Sequence, residues 1–181
     1  GVTVYGNGGM NTDYPVNFFG GTPPMGINLL QLIVAPTVAY KISDNHSVGV
    51  SPLLVYQKFR AEGLSPFGVG NNGYDSSSGI GVRLGYLGKL NDQVSIGAAY
   101  SPKISMSKFS KYAGLFAGGG DFDIPENYTL GATLQATSSV LLALDYQRIN
   151  YSGVAAVGNP SNNLLLGKPL GAADGPGFGW S

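Results

Sequence analysis

The 181-residue sequence contains no cysteine, one histidine and few charges: 10 lysines and arginines stand against 10 aspartates and glutamates, 11% of the chain, with a formal net charge of zero. Each scarcity excludes a class of protein. Without cysteine there is no disulfide scaffold, no zinc-thiolate site and no cysteine nucleophile. Ten scattered cations with no excess over anions make no basic footprint, which argues against a nucleic-acid partner. No run approaches the about 18 apolar residues of a spanning helix; the most apolar stretch, Leu29 to Tyr40, is broken by Gln31, Pro36 and Thr37. Disorder is excluded in turn, because hydrophobic residues make up 43% of the chain and aromatics 11%. Charge is therefore too sparse for an ordinary soluble surface, which carries about a quarter charged residues.

What is present is period-2 alternation. Ile80, Val82, Leu84 and Tyr86 form one face of a strand, with Gly81, Arg83, Gly85 and Leu87 on the other. The same pattern runs through Val94–Lys103, Tyr128–Gln135 and Val140–Gln147, and earlier through Leu32–Tyr40 and Val48–Tyr56. These six expected strands, of about 10 to 14 residues, exceed the globular average and match the about 9 to 11 residues of a tilted transmembrane strand. Short polar turns at Ser43–His46, Leu90–Gln93 and Thr137–Ser139 alternate with long segments, Phe59–Ser78, Ser107–Glu126 and Ser152–Pro176. Short periplasmic turns and long extracellular loops characterise outer-membrane barrels. Tyr40 and Tyr86 then end apolar faces on the short-turn side, and Tyr56, Tyr100, Tyr128 and Tyr146 on the long-loop side, as two aromatic girdles. The expected fold class is all-β: an antiparallel transmembrane β-barrel of the outer-membrane type. A soluble β-sandwich with half-buried strands is the alternative.

The second face carries Gln31, Lys41, Gln57, Arg83, Ser95, Lys103, Thr129, Thr133, Gln135, Asp145 and Gln147 among glycine, alanine and a few aliphatics. That is a mixed lumen, neither a dry core nor a porin eyelet of dense charge. Six strands cannot close a membrane barrel, whose smallest bacterial versions have eight. A partial barrel over residues 1–181 is therefore expected. Gly1–Gly6 reads as the middle of a strand, so a leader and earlier sequence are expected before it.

Five stretches carry a family resemblance: Gly6–Tyr14, Gln31–Lys41, Gly114–Tyr128, Leu144–Tyr151 and the closing Gly175–Trp180. Together they resemble the FadL/TodX (OmpP1) family of outer-membrane transporters for long-chain fatty acids and other hydrophobic compounds. The resemblance covers nearly the whole chain as short segments rather than through one diagnostic motif. It implies a barrel plugged by an N-terminal hatch, lateral release of substrate through the wall, residence in the Gram-negative outer membrane among lipid and lipopolysaccharide, and a monomer without cofactor or enzymatic activity. By that resemblance the hatch and about half the strands are expected to lie outside this sequence, and Ser181 is not expected to close a C-terminal aromatic strand. A general diffusion porin for small polar solutes and a structural anchor or adhesin are the rival functions.

Chemistry-bearing motifs are few. Gly68-Val-Gly70-Asn-Asn-Gly73 fits Gly-x-Gly-x-x-Gly, but no helix follows it, so a dinucleotide site is not expected. His46 lies in a short turn without a partner motif and reads as solvated, and Gly-x-Ser-x-Gly is absent. Asp121, Asp123 and Glu126 offer oxygen ligands for a weak Ca²⁺ site, but without EF-hand spacing they read better as a loop-ordering acidic turn. Arg83, Lys103 and Asp145 share the lumen face, as an ion network or as a stop for a fatty carboxylate. In the second long loop, Phe109, Tyr112, Ala113 and Phe116 follow helical spacing, with Lys108 and Lys111 beside the stripe. A short amphipathic helix there, with Phe67 and Leu64 from the preceding loop and Phe18, Phe19 and Met25 from the first, forms either a capture site for hydrophobic ligands or a packed cap over the barrel.

Overall fold

The computed structural model describes residues 1–179. Its strands are β1 (Val2–Tyr14), β2 (Met25–Pro36), β3 (Val38–Ser43), β4 (His46–Glu62), β5 (Asp75–Lys89), β6 (Val94–Ser101), β7 (Asn127–Thr137) and β8 (Val140–Ile149). All neighbours are antiparallel, in the order β1-β2-β4-β5-β6-β7-β8, with β3 also on β4, and the sheet curls into a half-barrel. β2 and β3 are one strand interrupted at Thr37, where Pro36 and Pro52, which cannot donate to a ladder, interrupt the β2–β4 and β3–β4 pairing. Thr37 Oγ1 and Ser51 Oγ, 2.7 Å apart, fill the gap.

The turns fall where expected, at Asp44-Asn45, Leu90–Gln93 and Ser138-Ser139. Strand boundaries differ, most at β1 and β4. β1 runs far past Gly6, although Gly6-Asn-Gly-Gly shows no alternation, because β2 supplies a complete ladder and a bulge at Asn7 absorbs the extra residue. β4 continues past Phe59 to Glu62, and β5 starts at Asp75, so the first long segment shrinks to residues 63–74.

One face of every strand remains uncovered: Leu32, Leu54, Ile80 and Leu144 are exposed there, Ile80 and Leu144 by three-quarters. Along β4 this apolar face runs from Val48 to Tyr56. Eight residue steps at about 3.3 Å, tilted about 40°, climb about 20 Å, most of the about 25 Å of an outer-membrane apolar band.

Over β2, β4 and β5 the opposite face is covered by the chain itself, whereas nearly all of β1 and all of β3 and β8 are exposed on both faces. β6 has only 8 residues, and Pro102 ends its ladder. The chain then turns inward, bridging Met106 to Gly79 and Ile104 to Ile124 across the inner surface of β5. Ile104, Met106 and Ile124 pack on Ile33, Ala35, Leu53 and Val55, with Tyr5 at the margin. Gly79 and Gly81 make this possible: a Cβ on Gly81 would sit 2.5 Å from Ile104 Cδ1. Toward the extracellular end a second cluster joins Phe59 and Ala61 of β4 to Val69, Phe109, Tyr112, Phe116 and Ala156 from the loops.

Candidate functional site: a lumenal cavity beside the inward loop

Between the inner faces of β1–β2 and β7–β8 lies a cavity of about 310 Å³. β1 and β2 contribute Asn7, Gly8, Met10, Leu29 and Gln31, and β5 contributes Arg83. The inward loop supplies Phe122 to Pro125, and the far wall is Asn127, Gln147 and Ile149, with Tyr151, Val157 and Phe178 from the last segment. The lining is mostly apolar with a few placed polar groups, the usual make-up of a small-molecule site.

Its polar wall is a ladder of carboxamides. Asn7 Nδ2 donates to Gln31 Oε1 at 3.3 Å, and Gln31 Nε2 donates to Gln57 Oε1 at 2.9 Å. Gln57 Nε2 in turn donates to Ser77 Oγ at 3.2 Å and to the Phe122 carbonyl at 2.8 Å. Ser77 Oγ closes the series on the Ser107 carbonyl. The ladder crosses β1, β2, β4 and β5 and ties the inward loop to the wall at both of its limbs. The bulge at Asn7 makes the first rung, and Gly8 leaves room for it: a Cβ there would lie 2.9 Å from Gln31 Oε1. Alternation identified Gln31 and Gln57 as inward. Asn7 and Met10 were missed, because a bulge reverses the parity of every residue after it.

The expected ion network does not form. Arg83 lies on the cavity wall with its guanidinium carbon 5.7 Å from the Tyr5 ring centroid. The Tyr5 hydroxyl is buried without a hydrogen-bond partner among the described residues. Lys103 pairs instead with Asp123 at 3.3 Å. Asp145 lies across from Gly131 on the inner face. The inward turn at Pro102 lifts Lys103 off the wall and hands it to its own loop, which strand parity does not reveal.

The three loop carboxylates disperse as well. Asp121 pairs with Lys108 at 3.5 Å, while Asp123 also accepts the Met106 N–H at 2.8 Å. Glu126 accepts the Tyr100 hydroxyl at 2.7 Å and Asn150 Nδ2 at 3.4 Å. They order the loop rather than converge on a cation. The two hydrogen bonds, Tyr100 first, hold the Glu126 carboxyl below its ordinary value. A depressed carboxylate adds stability that is complete above the ordinary glutamate range and lost as pH falls through the lowered value. Acidification below the ordinary glutamate range is therefore expected to loosen residues 121–126, read as faster amide exchange there. Glu126→Gln should remove that pH dependence; an unchanged profile in the variant would contradict the assignment.

The amphipathic helix expected over residues 109–116 is absent. Ser110–Tyr112 forms a 3-10 turn, and Phe109 N–H donates back to the Gly120 carbonyl at 2.9 Å. Gly118, Gly119 and Gly120 all take positive φ to make that return. Phe109, Tyr112 and Phe116 are at most 4% exposed, closing around Phe59 with centroid distances of 4.8 to 5.8 Å. They pack as a cap and present no groove. The Tyr112 hydroxyl accepts the Ala61 N–H at 3.0 Å and donates to the Gly73 carbonyl at 2.5 Å, and burial raises its pKa. Lys108 Nζ is bonded to the Gly118 carbonyl and Lys111 Nζ to that of Tyr74. Phe67 is the exception: 40% exposed, it meets Phe19 edge-on at 5.1 Å, near a similar pair of Tyr14 and Phe18 at 5.6 Å. His46, read as solvated, is half-buried, with Nδ1 2.7 Å from the Tyr86 hydroxyl.

On the outward side of β1, Gly6 and Gly9 leave a dent of about 490 Å³, and Gly8, Met10, Leu29 and Gln31 border both this dent and the inner cavity. One backbone thickness separates them.

Three solved outer-membrane proteins share this architecture. The toluene transporter TbuX of Ralstonia pickettii is 22% identical with a TM-score of 0.63, the alignment covering 85% of this chain and 51% of TbuX. TodX of Pseudomonas putida, also a toluene transporter, is 20% identical with a TM-score of 0.60 over the same shares. A FadL homologue of Pseudomonas aeruginosa is 16% identical with a TM-score of 0.59, covering 84% of this chain and 45% of its own. The chain thus spans about half the length of the barrels it matches. No curated protein matches the sequence. The profile of the outer membrane protein transport protein family (OMPP1/FadL/TodX) matches residues 1–164. The chain belongs to this family of Gram-negative outer-membrane β-barrel proteins, which are transport proteins and not enzymes.

Proposed function

We propose that this chain forms half of a channel for passive uptake of hydrophobic compounds, in which the cavity beside the inward loop is the ligand station. The observation that carries this reading is the cavity itself, largely apolar and about 310 Å³. An apolar hole of about 150 Å³ accepts benzene, so this one suits a molecule of one or two aromatic rings. A long-chain fatty acid would have to extend beyond it, which favours compact hydrocarbons such as toluene. Each buried CH₂ or ring carbon supplies about 0.8 kcal/mol, enough for transient binding with no energy source.

Capture falls to the exposed aromatics Phe18, Phe19 and Phe67 rather than to Phe109, Tyr112 and Phe116. The β1 bulge, where the same residues border the cavity and the outward dent, supports release there. Arg83, a cation on the cavity wall, pairs with no carboxylate among the described residues and would draw a carboxylate where a ligand has one.

The test uses a complete barrel carrying this sequence, reconstituted in vesicles, with toluene, palmitate and glucose as probes. Toluene should enter fastest and glucose not at all; equal entry of glucose would restore the porin reading. Arg83→Leu should leave toluene uptake within about twofold and reduce that of benzoate about tenfold, the scale of one charge-assisted contact. Benzoate uptake unaffected by Arg83→Leu would remove Arg83 from the site.

A further inference from the structure

The geometry points to a second site on the outer wall: we propose that Lys58 and Arg60 of β4, with Lys111 above them, bind a phosphate group of the outer-leaflet lipid, the phosphorylated lipid A of lipopolysaccharide. The three cations converge on one residue. Lys58 Nζ lies 4.0 Å and the Arg60 guanidinium carbon 5.0 Å from the centroid of the Tyr74 ring, and Lys111 Nζ is bonded to the Tyr74 carbonyl at 2.8 Å. Two carboxylates face the group. Glu62 reaches Arg60 at 3.5 Å. Asp75 is occupied by backbone, accepting the N–H of Ser76 and of Lys111. Lys58 pairs with no carboxylate among the described residues, and the cluster retains a net positive charge.

Glu62 offsets Arg60, and the charge left on Lys58 beside the same ring attracts a further anion. The height of the two cations identifies the anion. Lys58 and Arg60 continue the outward parity of β4 directly above Tyr56, the last residue of the apolar band. Lipid phosphates lie at that level, and long cationic side chains reach them from the wall. Tyr74, 39% exposed, supplies a rigid platform between the two. The site faces away from the lumen and does not depend on what the channel carries.

The experiment compares the complete barrel with its Lys58→Gln/Arg60→Gln variant in detergent, measuring co-purifying lipid by native mass spectrometry. Bisphosphorylated lipid A, fully dephosphorylated lipid A and inorganic phosphate are the probes. The unmodified barrel should retain bisphosphorylated lipid A about tenfold better than the variant or than the dephosphorylated form, given what each cation near an anionic surface contributes. Lys58→Arg/Arg60→Lys, which keeps both charges, should restore most of the retention, and toluene uptake should be the same in all three proteins, showing the barrel intact. Equal retention of dephosphorylated lipid A, or no loss in the Gln variant, would overturn the site. Displacement of the lipid by millimolar inorganic phosphate would assign the cluster to a soluble anion and overturn the lipid.

Discussion

Gly81→Val is expected to release the inward loop and turn the channel leaky. Valine is favoured in strands, so the wall itself should not suffer; the damage is steric. A Cβ at residue 81 would meet Ile104 at 2.5 Å, and one at residue 79 would meet Met106 and the Ser105 carbonyl. Overpacking of this kind costs about 1–3 kcal/mol if the loop stays. If it leaves, the burial of Ile104, Met106 and Ile124 is lost, at about 1.5–3 kcal/mol for each. The same substitution two rungs along is the control. Gly85 also faces inward, but its nearest neighbour, the Ala98 carbonyl oxygen, is 4.0 Å from an added Cβ, so Gly85→Val should be silent. Vesicle swelling in glucose measures the difference. Fast swelling for Gly81→Val alone is the expected result; equal behaviour of the two variants would mean that the loop does not occlude the lumen.

Phe109→Ala should destabilise the extracellular cap by about 3–5 kcal/mol, the cost of emptying a fully buried aromatic position. Tyr112→Phe should cost about 1–3 kcal/mol, because the Ala61 N–H and the Gly73 carbonyl lose their buried partner. Both are losses of local stability, visible as faster amide exchange across residues 59–62 and 107–120. Toluene affinity, measured at a temperature where the cap remains folded, should change less than about twofold. Weakened binding with unaltered exchange would return these rings to the ligand site.

Much of the wall was legible in the residues. Side chains of period 2 set on one face Leu32, Leu54, Ile80 and Leu144, and on the other Gln31, Gln57 and Arg83, and the structure keeps those faces. Alternation reports which way a side chain points from a regular strand, and most of the chain is regular strand. It fails where regularity ends. The Asn7 bulge hid half of β1 because glycines carry no side chain to alternate. Phe109, Tyr112 and Phe116 do come together, as their spacing suggested, yet in tight turns, since the return through Gly118–Gly120 and the pull of Phe59 decide the backbone. Lys103 left the wall for Asp123 because one proline ended β6. Loop partners of that sort are tertiary facts, absent from local pattern.

The carboxamide ladder bears on how wet the channel is. Gln31 and Gln57 both give and receive within the ladder, so the most buried polar atoms beside the cavity have little left to offer a water molecule. The part of the hollow against that ladder, away from Arg83 and Asp123, has its polar lining already matched and holds water weakly. An incoming hydrocarbon then displaces solvent that has few bonds to lose, and its entry should draw on enthalpy as much as on entropy, with the negative heat-capacity change of apolar burial.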